Sequence, residues 1–340
     1  MNINLEKLIE PGHEQGIPSL IRAPFQYIEN IPGNNGNIRS KFLIAFNDLY
    51  YKIPHKALLA KIEDIISIFH NSSLLIDDIE DYSDYRRGEP AAHTKFGIPL
   101  TINCGNLMYF VALHRAQEDL TNMYIDLEGG KTEAEIDKLK YETLRLLIDE
   151  MLNLHHGQGL DIYWRDHLVE EDLPQVEQYL HMIKNKTGGL FRLSVKLLQQ
   201  FSLAPNDLTI IRITNLLGII YQIRDDYLNL IDDNYSHMKG VTGEDLIEGK
   251  LSLPILHCLQ TTVNSPVHKL LYDLRTSEAR KAQPDLIKAA ISFMRTESQS
   301  LMYSHDLMKQ YELRAKDMIL SVSPTDGIQL TRILEWLCNI

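Results

Sequence analysis

His70-Asn71-Ser72-Ser73-Leu74-Leu75-Ile76-Asp77-Asp78-Ile79-Glu80-Asp81 closes a run that begins near residue 56 and carries Leu58, Leu59, Ile62, Ile65, Ile66 and Phe69 at steps of three and four. That period belongs to a helix whose apolar stripe covers much of its circumference. The spacing predicts one helix over 56–81 with four carboxylates crowded into its last turn. Asp77 and Asp81 fall one turn apart on the same face, where like charges repel by about a few tenths of a kcal/mol, and by more when partly buried. An acidic end on so apolar a helix calls for a cation.

Most of the remaining sequence reads with the same period. Helices are expected over 39–51, 101–122, 133–165, 174–200, 206–232, 251–262, 266–275, 281–293, 296–319 and 325–338, and no strand is expected. The breakers between them, such as Pro32-Gly33, Gly88 to Pro99, Gly129-Gly130 and Ser323-Pro324, are short and carry no low-complexity run. A single all-α domain over 1–340 follows, built as a helical bundle. The longest apolar run, Leu216 to Ile223, is interrupted by Gly218 and Gln222, so no transmembrane segment is expected. Met1 to Glu10 has no basic start and no continuous apolar stretch, which makes a cytoplasmic location the expectation. Cys104, Cys258 and Cys338 have neither disulfide-framework nor zinc spacing. A net charge of −12 opposes nucleic acid and anionic membrane surfaces. An anionic ligand must find a local group of Lys and Arg.

A second acidic cluster, Asp225-Asp226-Tyr227-Leu228-Asn229, again follows an apolar helical run with Leu216, Leu217, Ile219, Ile220 and Ile223. Two such clusters on two buried helices can face each other across a bundle and hold divalent cations between them. Magnesium suits the pattern, because it takes one or two carboxylates together with water and substrate phosphate. Arg86-Arg87 follows the first cluster across a short turn, and Lys186 with Thr187-Gly188-Gly189, Lys239 and Lys250 add further cations; Lys184 reads equally well as a solvated side chain. His70, two turns before Asp77, shares its face and can donate to a phosphate. Gln158 and Asp161, in Gly157-Gln158-Gly159-Leu160-Asp161, can hydrogen-bond the waters of a metal ion, although a helix kink would explain the two glycines equally well. Each feature alone has a plainer reading, as a solvated helix end, a basic loop or a core histidine.

Taken in order, these segments resemble the trans-isoprenyl diphosphate synthases, among them the fungal geranylgeranyl diphosphate synthases. The resemblance rests on His70 to Asp81, Arg86-Arg87-Gly88, Gly157 to Asp161, Lys186-Thr187-Gly188-Gly189-Leu190-Phe191, Gln222-Ile223-Arg224-Asp225-Asp226-Tyr227-Leu228-Asn229 and Glu244-Asp245-Leu246-Ile247-Glu248-Gly249-Lys250. It implies an isoprenoid synthase-type bundle around a central cavity. It implies Asp77, Asp81 and Asp225 as ligands of magnesium, three ions per site, with Asp78, Asp226 and Lys186 also in the catalytic group. Arg86, Lys186, Thr187, Gln222, Asn229, Lys239 and Lys250 are then expected around the allylic diphosphate, and Arg39, His70 and Arg87 around isopentenyl diphosphate. A homodimer is implied as well. One departure stands out: the family pattern Gly-Lys-Asn-x-Arg reads Asn35-Gly36-Asn37-Ile38-Arg39 here, with Gly36 in the place of the lysine.

The expected reaction joins isopentenyl diphosphate to an allylic diphosphate, farnesyl diphosphate being the expected starter, and yields geranylgeranyl diphosphate. Ser72 and Ser73 are small and leave room for a growing chain beside the first cluster, while Tyr109, Phe110 and His155 are expected, by resemblance, to form its floor. Two rival readings stand beside this one. A terpene cyclase on the same fold has no use for a second diphosphate site, against His70 and Arg87; a catalytically weak regulatory partner of another synthase has no need of two intact acidic clusters.

Overall fold

A computed structural model describes residues 18–32, 38–232 and 243–340. Apolar periodicity becomes helix almost everywhere in it. The helices that build the core and the site, in chain order, are α1 (Ser19–Glu29), α2 (Ile38–Phe46), α3 (Lys56–Glu80), α4 (Ile98–Arg115), α5 (Glu133–Asp166), α6 (Val176–Lys186), α7 (Gly188–Gln200), α8 (Leu208–Ile231), the short α9 (Glu244–Glu248), α10 (Leu253–Thr261), α11 (Pro284–Thr296), α12 (Ser300–Val322) and α13 (Ile328–Cys338). Helix α3 buries Leu58, Ile62, Ile65, Phe69 and Leu75 completely, each side chain contributing about 1.5–3 kcal/mol of transfer free energy. It packs against α4 on one side and α7 on another, while α7 also touches α5 and α8, and α8 lies along α12. One apolar core thus draws residues from Phe25 in α1 to Cys338 in α13, and a smaller one gathers around Leu246, Ile255, Leu270 and Met294.

Several boundaries differ from the sequence expectation for physical reasons. Helix α1 was not expected, because Pro24 interrupts its short apolar period; the structure buries Pro24 with Phe25 and Ile28 on one face. The segment expected as one helix over 174–200 is two, α6 and α7, meeting at Thr187. Helix α9 carries only five residues, too few for a period to register. Helix α5 runs unbroken through Gly157 and Gly159, so neither glycine marks an end. Its start is fixed by a capping box, in which Thr132 accepts from the Glu135 N–H and the Glu135 carboxylate accepts from Thr132 N–H at 2.8 Å.

Among the described residues the only strand pairing is a two-residue ribbon, β1 (Tyr85–Arg86) with β2 (Glu89–Pro90), in which Arg86 opposes Glu89. Its loop, Arg87-Gly88, has both residues at positive φ, 55° and 84°. That is the backbone of a tight hairpin turn matched to strand twist, and it turns the chain back directly after the first acidic cluster.

Candidate active site

The first cluster sits at the C-terminal end of α3, where the helix dipole already presents partial negative charge. Four carboxylates there are held in place by cations and amides from three other segments. Arg86, on β1, donates from Nε to Asp78 Oδ1 at 2.8 Å and places Nη2 against the same oxygen and, at 3.3 Å, against Asp77. Gln158 of α5 donates to Glu80 at 2.8 Å and to Asp77 at 3.3 Å. Lys186 stands 3.9 Å from Asp77 and forms its closest ion pair with Asp161. Burial opposes charge on Lys186, but Asp161, then Asp77 and Asp81, hold its ammonium above the ordinary lysine range. Asp161 is held below the ordinary carboxylate range because Lys186 and Lys250 outweigh its burial.

The junction between α6 and α7 joins this cluster to the second. Beside Lys186, the Thr187 hydroxyl donates to Gln222 Oε1, and the Gln222 amide donates to Asp226 at 2.8 Å. Asp226 is wholly buried and also accepts from the Tyr179 hydroxyl and from the Leu253 N–H at 2.9 Å. Lys250 lies 4.0 Å from Asp226 and 3.8 Å from Asp245. Burial pulls the Lys250 ammonium down, and Asp245 and Asp226 carry it well above its usual range. Asn229, one turn beyond Asp225, accepts the Asp245 N–H at 3.1 Å and so ties α8 to α9. Asp225 is partly exposed at this edge.

Close backbone contact makes the junction possible. A Cβ on Gly157 would lie 2.4 Å from the Lys186 backbone nitrogen, and one on Gly218 would lie 2.6 Å from Gly188 Cα. Any side chain at either position would push α5 or α8 away from the Lys186-Thr187-Gly188 corner. Gly157 is therefore a contact glycine rather than a kink, whereas Gly159 faces open space.

A basic group that shares Arg86 with the acidic cluster forms beside α3. Arg39, Arg86 and Arg87 all act on His70, whose imidazole is pushed well below its usual range by burial first and by those guanidiniums second. Its buried Nε2 has no hydrogen-bond partner. Burial, with Arg87, lowers Arg39 to about 10, against the favourable influence of Tyr221. Three like charges around a neutral ring with an unused ring nitrogen form an environment that an anion would relieve.

The expected residues divide by what the structure does with them. Asp77, Asp81, Asp161, Gln158, Lys186, Thr187, Gln222, Asp226, Asn229 and Lys250 are brought into one connected network. Asp78 and Asp226, expected in the catalytic group, are both buried: Asp78 Oδ1 accepts from Arg86, and Asp226 accepts from Tyr179, Gln222 and the Leu253 N–H. Arg86 is likewise held on Asp78, and Gln222 has both ends of its amide engaged within the protein. Tyr109 packs edge-on against His155 at 5.7 Å and near Phe69 at 6.2 Å. Phe110 is 70% exposed on the outer surface of the single chain and does not join that group. Ser72 and Ser73 turn their hydroxyls back onto the Ile68 and His70 carbonyls. Gly36 and Lys239 lie outside the described residues.

Sequence reading missed Tyr179, whose hydroxyl closes Asp226, and Arg165, whose Nη1 reaches Asp81 at 3.1 Å and Glu248 at 3.0 Å. The signal for Arg165 was its place one turn after Asp161 on the same helix; Tyr179 is indistinguishable in sequence from a core aromatic.

Among the described residues no three His, Cys, Asp or Glu side chains converge into a ready-made metal cage. Magnesium does not need one, since it retains waters and shares its shell with phosphate. The donor set fits that ion: all the acidic groups are hard oxygens, and Asp81 is held well above the carboxylate range by burial, then by Glu248 and Asp77. A divalent cation relieves that crowding.

The sequence profile described as polyprenyl synthetase matches residues 18–294. A geranylgeranyl pyrophosphate synthase of Macrophomina phaseolina is 46% identical over 242 residues, covering 71% of this chain and 66% of that protein. One from Hericium erinaceus is 35% identical over 337 residues, 96% of each chain. One from Gibberella zeae is 39% identical over 308 residues, 91% of this chain and 74% of the relative. The chain belongs to the polyprenyl synthetase family.

Proposed function

We propose that this protein condenses isopentenyl diphosphate with an allylic diphosphate, farnesyl diphosphate, to give geranylgeranyl diphosphate. The observation that carries the reading is the Lys186-Thr187 corner, which touches Asp77 of one acidic helix and, through Gln222, Asp226 of the other. Magnesium, up to three ions held by Asp77, Asp81 and Asp225, supplies Lewis-acid neutralisation of the diphosphate when bound. Lys186 and Lys250 meet the same diphosphate and offset the charge that builds on it as the allylic carbon–oxygen bond ionises. Arg39, His70 and Arg87 hold the second diphosphate, which aims the isopentenyl double bond at the allylic cation. No protein nucleophile is required, and the departing diphosphate takes the proton lost at the end. The apolar residues around the site keep out water, which would capture the cation.

The lengthening chain runs along α3 past the small side chains Ser72 and Ser73, and Tyr109 with His155 stops it at a twenty-carbon product. A second copy of the chain covers the exposed apolar side chains Ile102 and Phe110 of α4 with Leu152 and Tyr163 of α5, whose exposure is otherwise costly. Among the described residues no helix is long and apolar enough to cross a membrane; the reaction proposed here takes place on water-soluble diphosphates in the cytoplasm.

The purified chain, incubated alone with magnesium, farnesyl diphosphate and labelled isopentenyl diphosphate, is expected to release a labelled twenty-carbon diphosphate. Farnesyl diphosphate consumed without incorporation of label indicates a cyclase. No turnover at all indicates a regulatory partner.

A further inference from the structure

Two buried arginines outside every motif meet at the segment between the acidic helices. Arg165, in the last turn of α5, has a side chain only 6% exposed and serves three carboxylates: Asp81 at 3.1 Å, Glu248 at 3.0 Å and Asp166 at 2.8 Å. Tyr82, held at a positive φ of 56°, lays its ring over this guanidinium at 5.5 Å. Arg280, in the short helix Ser277–Lys281, is equally buried, and its hydrogen bonds all go to carbonyls: Ile247 at 2.7 Å, Glu248 at 2.6 Å and Leu274 at 2.8 Å. It thereby satisfies carbonyls that the end of α9 leaves without helical partners. Gly249, at φ 88°, is packed against it, since a Cβ there would lie 2.8 Å from Arg280 Nη2. The next residue is Lys250.

Glu248 is thus gripped twice, by its backbone carbonyl through Arg280 and by its carboxylate through Arg165, and Arg165 carries the grip on to Asp81. We propose that Arg280, Glu248 and Arg165 form a buried strut that holds the end of α3 and the Glu244–Lys250 segment at working separation, making Arg165 and Arg280 positioning residues for the metal-bound allylic diphosphate. The proposal rests on the prenyl-transfer reading above. It assigns the strut to one substrate only: Asp81 and Lys250 lie on its two ends, whereas Arg39 and Arg87 gather around His70, three turns of α3 before Asp81. A lysine cannot replace Arg165, because a single ammonium lacks the planar fork that serves several acceptors at fixed angles.

The test compares the full-length chain with Arg165→Lys, Arg165→Met, Arg280→Lys and Arg280→Met. Lys281→Gln serves as the control, because it removes an exposed pair with Asp84 next to the strut. The KM for farnesyl diphosphate and the half-activating Mg2+ concentration are expected to rise about tenfold in the Arg165 and Arg280 variants, the scale of one lost charge-assisted bond, with the KM for isopentenyl diphosphate changing by less than about twofold. The rise in melting temperature produced by Mg2+ with inorganic pyrophosphate should shrink in the same variants and persist in Lys281→Gln. Should the methionine variants fail to fold, the charge-retaining lysine variants decide the matter. Folded variants with unchanged farnesyl KM and an undiminished pyrophosphate shift would overturn the strut, as would equal increases in both KM values. Absence of any prenyl product from the unaltered chain would instead count against the prenyl-transfer reading, and the pyrophosphate shifts would still test the strut.

Discussion

The two acidic clusters look alike in sequence and do different work. At the end of α3 Asp78 is buried while Asp77 and Asp81 keep part of their surface open, and the cluster is shared among Arg86, Gln158, Lys186 and Arg165, each of which bridges more than one acceptor. On α8 the adjacent pair splits: Asp226 is sealed beneath Tyr179, Gln222 and the Leu253 N–H, while Asp225 keeps an accessible side. Burial, rather than residue type, separates the aspartate that keeps an accessible side, and that we propose as a metal ligand, from the one that fastens helices together. A buried carboxylate with every oxygen already engaged can gain a metal only by abandoning partners that then lie unsatisfied.

The sharpest way to break this contrast is to truncate the neighbours separately. Asp225→Ala, like Asp77→Ala, should lower turnover about a hundredfold to a thousandfold, the scale of removing a preorganised electrostatic contact in a reaction site, with little change in melting temperature. Asp226→Ala should instead cost about 3 to 5 kcal/mol of folding stability, because it leaves the Tyr179 hydroxyl, the Gln222 amide and the Leu253 N–H without their buried acceptor and takes one of two carboxylates from Lys250. Chemical denaturation alongside steady-state assays reads both; equal stability losses in Asp225→Ala and Asp226→Ala would erase the distinction. Gly157→Ala sharpens the comparison at the corner that serves both clusters: with a carbon forced to within 2.4 Å of the Lys186 nitrogen, stability should fall by about 1 to 3 kcal/mol and the KM values for both diphosphates should rise together.

A smaller effect is expected on the basic side. The folded chain holds His70 below its unfolded value, so the unfolded chain takes up the proton first as pH falls. Stability from this residue is therefore complete above its ordinary pKa of about 6.5 and is lost below it, by about 1 kcal/mol between pH 7 and 5.5. His70→Gln should flatten that part of the pH–stability curve, and an unaltered slope would show that the imidazole is already charged in the native state. Smallest of all, Gly36→Lys should lower the KM for isopentenyl diphosphate by an amount near 1 kcal/mol in binding, about the worth of one phosphate contact. The two cations nearest in sequence that could stand in for a lysine there are an exposed Lys41 and Lys52, which pairs with Asp326 at 3.0 Å.

Much of the helical frame was legible because its signal is local. The run from Leu58 to Phe69 repeats at the helical period whatever lies around it, and α3, α5 and α8 follow their expected limits within a few residues. Helices α1 and α9 were hidden for opposite reasons, a proline inside the first and brevity in the second. At the site, spacing singled out the two aspartate clusters, whereas Lys186, Gln158 and Lys250 took their roles from the resemblance to a known family. Spacing could not separate Asp225 from Asp226, which differ only in which way one turn of α8 faces.

By itself the order of residues determined that this chain is helical, that it concentrates acid on two apolar helices with cations close behind, and that it belongs with enzymes that handle prenyl diphosphates. Only the tertiary structure decided which of those charges are sealed inside the protein and which keep an accessible side. The reason is range: helical period and charge pattern act over a few residues, whereas Tyr179 and Leu253 on Asp226, and Asp81 and Glu248 on Arg165, come from positions 27 to 84 residues away, and nothing in a linear chain says which distant side chains packing will bring together.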